Sequence, residues 1–237
     1  MLLPPANKRK GYRGPALEGP IACYYAKLTQ RYRPEYRSFA ETIRKQTASH
    51  SDILIVGPGP GYLPFELASL GNYQIVALDI SKAFVRMGTE RAKGSDSKIR
   101  YQLGNVSAME FDARSFDFIA CRAAFKNFAE PTLALAEMHR VLRPGGTALI
   151  LDLRGDPDSG AIDSYVQGLG LNWTGSLLMK LMFKYSLVKR AYSQRQITKM
   201  AAESPFRSHA IEFDPLRFKL TLTKETVDDP EELGLIT

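Results

Sequence analysis

Apolar positions along the chain change their period in a regular rhythm. The runs ILIV (53–56), QIVAL (74–78), IRYQL (99–103), FDFIAC (116–121) and TALILDL (147–153) are short and dense in β-branched or aromatic residues, the mark of buried strands. Between them lie stretches with helical spacing, one reaching about Leu70, one over 81–93 and one over 131–143. The last is predicted to stop at Pro144-Gly145-Gly146. Strand and helix in alternation imply a parallel sheet with right-handed crossovers. Most of these strands are apolar on both faces, as strands covered by helices on each side should be.

Ahead of this core, 21–46 carries helical spacing at Tyr24, Leu28, Tyr32, Phe39 and Ile43, divided at Pro34 into two short helices. Behind it, 155–192 opens with Gly, Asp and Ser and continues as SLLMKLMFKYSLVKRAY. There Leu177, Leu178, Leu181, Met182, Tyr185 and Val188 form a helical stripe flanked by Lys180 and Lys184. A helix over 193–203 and two strands, HAIEF and RFKLTLTK, separated by Asp214-Pro215, complete the pattern. The predicted fold is α/β, Rossmann-like and doubly wound. It has a mainly parallel seven-stranded sheet, a C-terminal antiparallel strand pair, N-terminal helices and a helical insert after strand five. One domain covers 21–224, with its core at 50–153, a helical lid or insert at 155–192 and the strand pair at 207–224.

Composition adds the ends and removes some chemistry. With 237 residues and 44% hydrophobic content the chain can bury one sizeable core. Residues 1–45 hold ten Lys or Arg against three acids, whereas 225–237 hold five acids and no base. The first twenty residues read as a flexible basic arm or a segment that orders over a ligand, and 225–237 as an acidic, disordered tail. A net charge of +7 permits an anionic partner. Three histidines and two cysteines without metal-ligand spacing predict no metal site. Prolines interrupt the first residues, and no segment approaches the roughly 18 apolar residues of a membrane span. A cytoplasmic protein is expected.

The chemistry-bearing motif is GPGPG at 57–61, directly after the first strand and at the mouth of a helix, where absent side chains let a ligand approach the backbone. Asp79 ends the second strand, placed to accept hydrogen bonds from ribose hydroxyls. A dinucleotide fingerprint counted from Gly57 or Gly59 would need glycine where Tyr62 or Pro64 stands. What remains, GxGxG, suits a ligand that carries an amino acid at this turn.

In order, ILIVGPGPGYLPFELA, ALDIS, GNVSAMEF, SFDFIACRAAFKNF and MHRVLRPGGTALILDL resemble the successive motifs of class I S-adenosylmethionine-dependent methyltransferases. The likeness is strongest to the type 11 group, which includes ubiquinone and menaquinone biosynthesis enzymes. The resemblance implies S-adenosylmethionine as cofactor, with Gly57, Pro58, Gly59 and Gly61 beneath its methionine part and Asp79 on the ribose. Ile80 and Ser81 would lie near the adenosine. Asn105, where the family more often has aspartate, would bond the adenine amino group while Val106 covers the ring. Arg122 and the backbone after strand four would complete the amino-acid end, and Tyr25 could close over it.

Ligands in open parallel sheets bind beyond the carboxyl ends of the strands. Lys126 and Arg154, after strands four and five, are accordingly substrate candidates, and Tyr165 and Trp173 of the insert join them, suited to a small hydrophobic or aromatic metabolite. The family often has a histidine near 126; Lys126 replaces it and is the candidate catalytic group, although positioning alone can drive methyl transfer. Two alternatives stay open. A nucleic-acid, in particular RNA, methyltransferase is allowed by the charge, but CRAAFKN lacks the [DNS]PP[YFW] run that grips a flipped base. A cofactor-binding protein that does not methylate is the other. Basic residues of the arm and insert could also touch an anionic membrane.

Overall fold

A computed structural model of the protein describes residues 11–14, 17–95 and 98–226. The expected start of the arm (1–10) and most of the acidic tail (227–237) lie outside the described residues.

Two helices lead into the core, α1 (Gly19–Thr29) and α2 (Arg33–Arg44). Pro34 sits in the first turn of α2, where its missing N–H costs nothing, so it starts that helix. The core then alternates β1 (Asp52–Val56), α3 (Tyr62–Ala68), β2 (Gln74–Asp79), α4 (Lys82–Lys93), β3 (Ile99–Leu103), β4 (Phe116–Arg122), α5 (Pro131–Val141) and β5 (Leu142–Leu153). The insert supplies α6 (Ala161–Gly168), α7 (Trp173–Met182), a π turn at Phe183–Leu187 and α8 (Val188–Arg190). The chain closes with α9 (Gln194–Ala202), β6 (Ser208–Phe213) and β7 (Arg217–Thr223).

The strand order is β3-β2-β1-β4-β5-β7-β6, with β1 to β5 mutually parallel and β7 antiparallel to both of its neighbours. The chain starts at β1, winds outward to β3, then returns past β1 to β4. The crevice at this reversal lies beyond the carboxyl ends of β1 and β4, where open α/β sheets bind ligands.

Alternate residues of the central strands feed opposite cores. Leu54, Val56, Ile119, Cys121, Ala148 and Ile150 pack on one face with Leu135 and Met138 of α5 and Ile197 of α9. On the other, Ile53, Ile55, Phe118, Ala120 and Leu149 meet Phe39 and Ile43 of α2 and Leu63 and Leu67 of α3. Among the described residues no helix is long and apolar enough to cross a membrane.

One boundary differs from the sequence expectation. The helix before β5 ends at Val141, and Pro144-Gly145-Gly146 lies inside β5. The pairing of β4 with β5 shifts between Phe116 and Phe118. Gly145 adopts φ 77° and gives its N–H to the Lys224 carbonyl. A distant main-chain partner thus turns an apparent breaker into a bulge.

Phe118, 1% exposed, is central to the second core. Phe118→Ala is expected to cost about 3–5 kcal/mol of stability, read as a lower midpoint in chemical denaturation.

Candidate active site

The glycine loop leaves β1 at Val56 and enters α3 with Gly61 as its N-cap. Gly57, Gly59 and Gly61 all have positive φ, 63°, 55° and 87°. At Gly57 a Cβ would stand 2.5 Å from the Ala124 Cβ, and at Gly61 it would overlap the Tyr101 hydroxyl. Nothing lies within 4 Å of the corresponding point at Gly59. That open side is where a ligand can meet the main chain.

Asp79 closes the loop from β2. Its Oδ2 accepts the Gly59 N–H at 2.9 Å and its Oδ1 the Ser81 N–H at 2.9 Å. The carboxylate keeps lone-pair capacity for a ligand hydroxyl beyond these backbone donors. Burial raises the Asp79 pKa above the ordinary carboxylate range, and these backbone donors only partly offset the effect. The Ser81 side chain caps α4 at Phe84 N–H and donates to the Leu17 carbonyl, so only its backbone serves the site.

A cavity of about 280 Å³ extends from this point over Gly57, Gly59, Asp79, Ile80, Asn105 and Val106, with Tyr25 and Ser81 also on its wall. Asn105 uses Oδ1 to cap the Ser107 N–H at 3.0 Å, which fixes its amide at the mouth. Pro58 and Gly61 shape the loop without lining this cavity, and Arg122 lies elsewhere.

Part of the wall comes from the arm. Tyr12 forms a β-bridge with Phe128, and the Arg13 N–H reaches the Asn127 carbonyl at 2.9 Å. The Glu18 carboxylate accepts the Lys82 and Ala83 N–H groups at 2.9 and 3.0 Å, the site an acid prefers at a helix N-terminus. Gly11, Tyr12, Leu17 and Glu18 thereby join the site. Sequence reasoning missed them because no local period marks them.

A second cavity, about 310 Å³, shares Tyr12, Leu17, Tyr25, Ala123 and Asn127 with the first. Its walls include Tyr32, Tyr36, Tyr165, Met182 and Phe183. Ala123 sits at the junction with φ 58°, unusual for a residue with a Cβ. It is held from both sides: its N–H donates to the Leu151 carbonyl, and its own carbonyl accepts from the Lys126 ammonium. Lys126 is 5% exposed and pairs with Asp152, 2% exposed, at 2.9 Å. Asp152 also takes the Lys126 and Leu153 N–H groups. Lys126 therefore holds the loop in shape, and its ammonium is already engaged.

Arg122 lines this second cavity, away from the glycine loop. It pairs with Glu35 of α2 and stacks over Tyr36 at 4.3 Å. Glu35 also lies 3.6 Å from Arg217 and receives the Tyr165 hydroxyl at 3.5 Å. Burial pushes the Tyr25 and Tyr165 pKa values well up, so both phenols remain protonated donors. Three buried polar atoms of this wall lack a hydrogen-bond partner: Arg122 Nε, Arg190 Nε and Asn127 Oδ1.

Two expected substrate residues fall outside both cavities. Arg154 turns to Asp156 and Asp158 at 3.2 Å each, and Trp173 is 79% exposed. The acids two and four positions on capture the guanidinium; the indole lies on the outward side of α7.

Residues 54–150 match the family model described as a methyltransferase domain, type 11. That stretch of 97 residues is similar to methyltransferase domains, and its fold is the one such domains share. The chain is 30% identical over 119 residues to the demethylmenaquinone methyltransferase of Deinococcus radiodurans, covering 49% of each chain. It is 34% identical over 120 residues to a ubiquinone/menaquinone biosynthesis C-methyltransferase of Yersinia enterocolitica, covering 48% of each. It thus spans about half the length of the curated relatives it matches. Among solved structures it resembles a SAM dependent methyltransferase from Aquifex aeolicus, with TM-score 0.64, 17% identity and coverage of 85% of this chain and 97% of the other. It also resembles the Haemonchus contortus phosphoethanolamine N-methyltransferase 2 crystallised with S-adenosylhomocysteine, with TM-score 0.63, 16% identity and coverage of 84% and 57%. The cofactor this likeness implies is S-adenosylmethionine, the molecule bound in a second structure of the Haemonchus enzyme. The donor set fits it: free carboxylate lone pairs at Asp79 for the ribose, and the unpartnered Asn127 Oδ1 as an acceptor for an ammonium group.

Asp79→Ala is expected to weaken cofactor binding by about 1–3 kcal/mol in calorimetric titration. Because the carboxyl protonates above its usual range, wild-type affinity should begin to fall, as pH is lowered, at a higher pH than an ordinary carboxylate would give, and Asp79→Ala should lose that dependence.

Proposed function

We propose that this chain transfers the methyl group of S-adenosylmethionine to a small hydrophobic or aromatic metabolite held in the second cavity. The meeting of the two cavities at Ala123, Asn127 and Tyr25 carries this reading. The sulfonium supplies an electrophilic methyl group when bound. The protein's share is to align the acceptor with it and to exclude water, which can provide much of the acceleration.

No histidine lines the second cavity among the described residues, and its two carboxylates, Glu35 and Asp152, are both paired with cations. The acceptor must then be nucleophilic without a protein base, as an electron-rich ring or an acidic phenol or enol is. Aromatic and thioether walls suit its apolar body. The unpartnered Nε–H groups of Arg122 and Arg190 suit a carbonyl or acidic oxygen on it. A quinol-type ring, suggested by the names of the relatives, combines both features.

Labelled-methyl transfer across quinols, phenols and aromatic acids should release S-adenosylhomocysteine with at least one of them. Arg190→Gln should then raise KM, lowering kcat/KM by roughly ten- to a hundredfold, with cofactor affinity unchanged. Tight cofactor binding with no turnover of any class would overturn the proposal.

A further inference from the structure

From Ser164 to Ala202 the chain contains no acid but six bases, Lys180, Lys184, Lys189, Arg190, Arg195 and Lys199. Within it, α7, the π turn and α8 run without interruption from Trp173 to Arg190. The inner side of this rod is accounted for: Met179 and Phe183 pack with Val166 and Leu216. The outer side is not. Trp173, Leu177, Leu181 and Tyr185 recur every fourth residue and are exposed, and Leu178 beside them is 70% exposed. Solvent normally selects against such a stripe, and an apolar patch rimmed by charge marks an interaction surface.

The charge on the rim says what covers it. Lys184 and Lys189 flank the Tyr185 ring, with ammonium groups 5.5 and 5.3 Å from its centre. Neither is in an ion pair among the described residues, and of the lysines on this rod only Lys180 has an acidic partner there, Asp163. A second copy of this chain would bring the same basic face against itself, which like-charge repulsion opposes. An anionic lipid surface satisfies both parts: leucines and the indole enter the boundary of the acyl chains while the lysines meet the headgroups. We propose that the outer face of Trp173–Arg190 docks the protein on anionic bilayers. Met182 is exposed on this rod and also lines the acceptor cavity, so docking sets that cavity beside the bilayer.

Trp173 is the chain's only tryptophan, so its fluorescence reports docking without a label. With the full chain, vesicles of phosphatidylcholine and phosphatidylglycerol are expected to shift its emission to the blue and to protect it from aqueous quencher. Pure phosphatidylcholine should do so weakly, and added salt should reverse the effect. Lys184→Gln with Lys189→Gln should lower partitioning roughly thirtyfold. Leu178→Glu should abolish the shift while thermal unfolding and cofactor affinity stay at the wild-type values. Unchanged emission with anionic vesicles would sink the proposal. So would a blue shift that needs no lipid and tracks dimerisation in sedimentation. No arm of this experiment uses methyl transfer, so its failure is distinct from failure of the proposed activity.

Discussion

The ion pair between Lys126 and Asp152 lies almost wholly out of solvent, one partner in the turn after β4 and the other near the end of β5. Removing one partner of such a pair costs about 3–5 kcal/mol, because a buried charge is left alone. The pair does more than join two strands. The Lys126 ammonium also holds the Ala123 carbonyl, fixing a residue with a Cβ in left-handed backbone. At Gly57, across the crevice, a Cβ would collide with Ala124. The loop after β4 and the glycine loop therefore define each other's position, and both cavities take their shape from that fit.

Below the pair, the Phe125 ring meets Phe128, Tyr192 and Phe218 edge-on. This aromatic cluster connects the turn to β7 and to the segment leading into α9. The C-terminal strand pair is thereby part of the floor of the site, although it contributes little to the cofactor side.

What could be read from the residues was local. The five core strands announce themselves by apolar density. Asp79 and the glycines are legible because the constraint on each acts within a single strand-turn-helix unit. Where reading failed, the deciding contact was distant or directional. The Gly145 N–H finds Lys224, some eighty residues away, and a breaker becomes a bulge. Aromatic character in the insert does not say which way a side chain faces, and Trp173, expected to touch substrate, stands outside. Arg154 had its competing acids, Asp156 and Asp158, in plain view. Tyr12 and Glu18 gave no signal, since an irregular strand of chain has no period to betray its contacts.

The short segment around Tyr12 and Leu17 forms part of the wall of both cavities. A wall held in common cannot move for one occupant alone. A ligand that displaces it from one cavity changes the other, and any such coupling is reciprocal by linkage. The two binding equilibria are in this way joined through a few residues of irregular backbone, without any rearrangement of the sheet beneath them.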